Sequence, residues 1–113
     1  MEKFTITSDG NPPITFTGEQ LSGCANRNHN STRWTIVELY RTQGGKIVSS
    51  IERRTQWEGE RDQKDARVFD GLGAAIVWLK NGEDCLGRVS QEAVEEAIKK
   101  DPSLAKFWVQ EVD

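Results

Sequence analysis

Arg33-Trp-Thr-Ile-Val-Glu-Leu-Tyr-Arg-Thr-Gln-Gly-Gly-Lys-Ile-Val-Ser-Ser-Ile-Glu-Arg-Arg-Thr-Gln-Trp57 is the stretch around which the remaining chain is organised. Two runs rich in Val, Ile, Thr, Tyr and Trp flank Gly44-Gly45, a pair that tolerates positive φ, so the segment reads as one long antiparallel hairpin. Setting Arg41 opposite Lys46 brings Tyr40 to Ile47, Leu39 to Val48 and Ile36 to Ile51, although two like charges then meet at the turn. In this register one face carries Trp34, Ile36, Tyr40, Ile47 and Ile51, and the other Val37, Leu39 and Val48. A two-layer domain buries one sheet face, so the second requires a cover from another element, a second subunit or a partner, or is shaded by long neighbouring side chains.

Upstream, Lys3 to Thr7 and Ile14 to Thr17 alternate apolar residues with threonine and read as two short strands around the turn Ser8-Asp9-Gly10-Asn11-Pro12-Pro13. The prolines belong at an edge or just ahead of the second strand, because proline cannot donate to a ladder. Ser22 to Thr32 is polar and aperiodic, which predicts a working or mobile loop containing the single histidine, His29, read as a solvated side chain. Glu58 to Asp65 reads as a charged loop, and Ala66 to Phe69 as a short strand beside the hairpin.

Downstream the period changes. Leu72, Ala75, Ile76 and Leu79 recur at helical spacing, with Asp70 as the expected cap and Asn81-Gly82 as the stop. A second helix is expected from a Ser90 cap to about Lys99, burying Ala93, Val94, Ala97 and Ile98. Asp101-Pro102 opens a third to about Gln110, whose Leu104, Phe107, Trp108 and Val109 either dock in the core or reach a partner. The expectation is a single α+β domain over residues 1–113. It comprises an antiparallel sheet of four or five strands, built from two hairpins, with two or three C-terminal helices packed on one face.

With 113 residues, 35% hydrophobic and 29% charged, the chain has material for one modest core. Its net charge of −3 is unevenly spread: −2 over residues 1–26, +3 over 27–67 and −4 over 68–113. The middle block holds six acids against nine bases, a mixed-charge surface and not a nucleic-acid stripe. No apolar run predicts a membrane span or signal peptide, which points to a cytoplasmic protein. Cys24 and Cys85 lack metal or redox spacing and read as free thiols. Gly71-x-Gly73 fails as a dinucleotide fingerprint because the sixth position is Ile76 and no Rossmann unit fits. One histidine and scattered carboxylates assemble into no catalytic set, so the expectation is a non-enzyme with no cofactor and no metal.

Three segments, Phe16-Thr17-Gly18-Glu19-Gln20-Leu21, Leu39-Tyr40-Arg41-Thr42-Gln43-Gly44-Gly45-Lys46 and Thr55-Gln56-Trp57-Glu58-Gly59-Glu60, resemble the layout of small proteins carried by phages and other mobile elements. That class includes inhibitors of bacterial defence, anti-CRISPR proteins among them, and the resemblance implies binding and blocking of a host protein or complex. On the residues themselves, Trp34, Tyr40, Arg41, Arg53, Arg54 and Trp57 are the expected partner-binding anchors, since aromatic and arginine side chains dominate interface energetics. Two alternatives stand beside this reading. One is a single-stranded nucleic-acid binder, with Trp34 and Tyr40 stacking on bases and Arg33, Arg41, Arg53, Arg54 and Arg61 meeting phosphates. The other is a homodimer that sequesters a small ligand between subunits.

Overall fold

The computed structural model describes residues 1–110 and orders five strands as a continuous antiparallel meander: β1 (Glu2–Ser8), β2 (Asn11–Ala25), β3 (Arg33–Thr42), β4 (Ile47–Thr55) and β5 (Gln63–Phe69). Two helices, α1 (Leu72–Lys80) and α2 (Arg88–Lys100), and a 3-10 segment at Pro102–Phe107 follow. This is the expected α+β architecture, with five strands and the helices packed on one sheet face. No helix among the described residues is long and apolar enough to cross a membrane.

The central hairpin forms, but one residue out of the expected register: Arg41 faces Ile47, Tyr40 faces Val48, Leu39 faces Ser49 and Val37 faces Ile51. A tight turn sets this pairing, with the Thr42 amide donating to Lys46 O, the Gly45 amide to Thr42 O, and Gly45 at φ +89°. The shift separates Arg41 from Lys46 and frees each for a carboxylate: Arg41 for Glu19 and Asp101, Lys46 for Asp70. It also redistributes the faces. Val37, Leu39, Ile47 and Ile51 join Leu21 beneath the helices, while Tyr40 and Val48 turn to the opposite side.

That opposite side is covered by the sheet itself. β2 runs for 15 residues and absorbs an extra one between Gln20 and Ser22, a bulge of the kind that bends a strand. At the bend Gly18 lies so close to β3 that a Cβ would stand 2.1 Å from Arg41 O. The β1–β2 arm therefore folds over the concave face until the edges meet: the Asp9 amide donates to Lys64 O, the Lys64 amide to an Asp9 carboxylate oxygen, and the Ala66 amide to Ser8 Oγ. Inside this curl Phe4, Phe16 and Tyr40 pack with centroids 5.0–5.6 Å apart above Ile6, Ile14, Val48 and Ala66. Pro12 and Pro13 sit within the start of β2, at the irregularity between the Ser8–Asn11 and Ile6–Ile14 pairs, where the ladder is already interrupted.

The helices match their periodicity more closely than their expected caps. Leu72, Ala75, Ile76 and Leu79 of α1 are buried, and α2 buries Ala93, Val94 and Ala97. Yet Gly71 and Gly87, both in extended conformation, hold the N-cap positions. Asp70 is drawn away to Lys46, and Ser90 is a buried residue inside α2. Asn81 in the left-handed conformation ends α1 as expected. Asp101 caps the 3-10 segment by accepting from the Ser103 amide, but this segment stops at Phe107 and buries only Leu104.

Candidate functional site

β3 and β4 end, away from their turn, on the pairs Arg33–Thr55, Trp34–Arg54 and Thr35–Arg53, and β5 places Gln63 beside Arg53. Adjacent strand residues point to opposite faces, so Arg53 and Arg54 straddle β4. Around this end lies an open groove of about 540 Å³ lined by Arg33, Trp34, Arg53, Arg54 and Arg61, with Glu60 as a carboxylate on its wall. A second depression, lined by Asp9, Asp62, Lys64 and Asp65, shares Arg53 and Arg61 with it.

Local hydrogen bonding fixes the loop between β4 and β5. Its backbone turns at Gly59 (φ +87°), the Gln56 amide donates to Thr32 O, and the Thr55 amide donates to the Asp62 carboxylate. Glu60 accepts both Nε and Nη2 of Arg33 at 3.0 and 2.6 Å, a bidentate pair, and also the Thr55 hydroxyl. The Arg33 hydrogen bond, followed by that of Thr55, holds the Glu60 carboxyl below the usual carboxylate range. The Arg33 guanidinium lies 5.9 Å from the Trp57 ring centroid, and Trp57 is 53% exposed. Arg54 is paired with Glu52 along its own strand at 3.0 Å. Among the described residues, Arg27, Arg53 and Arg61 make no ion pair; Arg27 instead stacks 3.9 Å above Trp34.

The six expected anchors thus divide. Arg53, Arg54 and Trp57 are exposed at the distal end, with Trp34 buried at the base of the groove. Tyr40 is buried in the aromatic cluster and donates to Glu38, and Arg41 is pinned between Glu19 and Asp101. Trp34 and Tyr40 are six positions apart, about 20 Å along an extended strand, so these two belong to different places. Neither buried ring presents a face for stacking on a base. Arg27 was missed because it lies in a loop without periodicity; its contact with Trp34 depends on how that loop closes.

The expected loop at Ser22 to Thr32 is shorter, since β2 continues to Ala25. Asn26 accepts the Thr35 amide at 2.7 Å, and Asn28 accepts the Asn30 amide at 2.9 Å, so a wired turn connects β2 to the groove. At the other end of the hairpin, Phe107, Trp108 and Val109 remain exposed around a shallow depression shared with Ile76 and Lys80 of α1. Among the described residues no three His, Cys, Asp or Glu side chains gather as a metal site. Cys24 is half-buried, and burial, followed by the charges of Glu96 and Glu92, pushes its thiol pKa up, away from thiolate reactivity. No protein-family model, curated protein or solved structure matches the chain.

Proposed function

We propose that this chain is a small non-enzymatic binding module, an inhibitor or adaptor, that engages a partner protein through the arginine and tryptophan residues at the distal end of the β3–β4 hairpin. The observation carrying this reading is that Arg53 and Arg61 pair with no carboxylate among the described residues, while neighbouring Arg33 is held by Glu60 beside exposed Trp57. Tryptophan and arginine are the side chains richest in interface energy, and an arginine without a carboxylate keeps its hydrogen-bonding fork for a partner. By its resemblance to proteins of mobile elements, the proposal extends to blockade of a host defence complex in the cytoplasm.

The test is affinity capture from a bacterial lysate, with and without nuclease, analysed by mass spectrometry. A stoichiometric protein retained after nuclease, and lost with Arg53→Glu/Arg54→Glu, supports the proposal. Recovery only of nucleic acid, or a partner held equally by the double variant, contradicts it.

A further inference from the structure

Building on the protein-binding reading, we infer that the distal groove recognises an acidic segment of the partner, with Arg53 and Arg61 each receiving a side-chain carboxylate. Both guanidinium groups line the groove and the adjoining depression, so a chain crossing between the two meets both. Arg33 and Arg54 are already occupied by Glu60 and Glu52, which leaves Arg53 and Arg61 as the positive charges available on the groove wall. Arg27, 3.9 Å above the Trp34 ring centroid, adds a third positive charge beside the buried ring.

The charge pattern selects among anions. Glu52, Glu60, Asp62, Asp9 and Asp65 are interspersed with the basic groups, so the positive potential is in patches and not in a continuous track. A phosphodiester backbone carries a charge at every nucleotide and would be driven against these acids; an acidic peptide can place its carboxylates on the arginines and neutral residues between. The burial of Trp34 and Tyr40 takes away two of the stacking platforms on which a single-stranded nucleic-acid binder would rely, leaving exposed Trp57 as the aromatic ring at this end. Guanidinium forks also match carboxylates bidentately, so lysine in their place retains the charge but loses the geometry.

The experiment is a titration of the isotopically labelled full chain with three probes: a decapeptide of alternating glutamate and glycine, an uncharged glycine-serine peptide of the same length, and a thymidine decanucleotide. Amide shifts and affinity are read by NMR at low and moderate salt. The inference expects saturable shifts at residues 33–34, 53–55 and 60–63 with the glutamate-glycine peptide, none with the glycine-serine peptide, and weaker binding as salt rises. Arg53→Glu/Arg61→Glu should lower affinity for the glutamate-glycine peptide at least tenfold with an unchanged amide spectrum elsewhere. Arg53→Lys/Arg61→Lys should give a smaller loss. Absence of shifts at the groove with the glutamate-glycine peptide, equal affinity in the charge-reversed variant, or tighter binding of the oligonucleotide at the same residues would overturn the carboxylate assignment. Failure here alongside successful partner capture would reject the acidic ligand but leave the protein-binding reading standing; failed capture would reject that reading itself.

Discussion

Tyr40 illustrates how one side chain can be misplaced by a single step of register. Its residue type is compatible with an interface anchor or a core ring, and only the pairing with Val48 directs it into the curl. Burial, followed by the charge of Glu38 and the hydrogen bond to it, raises its phenolic pKa well above the usual value. The folded state therefore holds this proton more tightly than the unfolded chain. The stabilisation is complete below the unfolded pKa near 10 and is lost as pH rises from there through the folded value. As this is the single tyrosine in the sequence, its phenolate absorbance should remain absent when pH first passes 10 and emerge with unfolding. Tyr40→Phe should cost about 0.5–1.5 kcal/mol at neutral pH and flatten the alkaline limb of the stability curve, measured by urea unfolding. Normal titration near pH 10 in the folded protein would contradict this placement. Gly18 is similarly invisible in composition: Gly18→Ala drives a Cβ into Arg41 O and should destabilise by about 1–3 kcal/mol or more. An unchanged melting temperature would exclude that close approach.

Among the elements, α1 was fully legible in its buried face because four apolar residues at helical spacing have one side on which to meet a sheet. Ile76→Ala should cost about 2–5 kcal/mol by denaturant unfolding, and a loss below about 1 kcal/mol would mean that this face is not packed as described. The hairpin was legible in existence but not in register, since shifting by one residue still places apolar groups across from one another. β2 was the least legible. Its Gly18, bulge and polar Ser22-Gly23 stretch resemble a strand end and a loop, yet the strand continues because Ser22, Gly23 and Cys24 pair with Leu39, Glu38 and Val37. Non-local pairing of this kind leaves no periodic signal. The expected N-caps of α1 and α2 failed where Asn81 and Asp101 held; Asp70 finds Lys46, a partner 24 residues away.

For the molecule as a whole, the apparent need for a second cover disappears once the β1–β2 arm closes over β3–β5, and the exposed tryptophans, Trp57 and Trp108, lie toward the two ends of the central hairpin. One end carries the groove with Arg53, Arg61 and Trp57, the other the apolar Phe107–Val109 segment. The sequence pointed to Arg53, Arg54 and Trp57 because arginines adjoining an aromatic hairpin are conspicuous, but could not tell that Arg33 and Arg54 are internally paired. Arg53→Glu/Arg54→Glu should leave circular dichroism and the melting midpoint near wild type while abolishing partner capture; a cooperative loss of fold would show these charges to be structural. The most direct measurement is hydrogen–deuterium exchange on the captured complex against the free chain. The proposed binding mode predicts new protection at residues 27–34 and 53–63, with Phe107 to Val109 unchanged. Protection confined to the C-terminal apolar segment, with the groove exchanging as in the free chain, would contradict it.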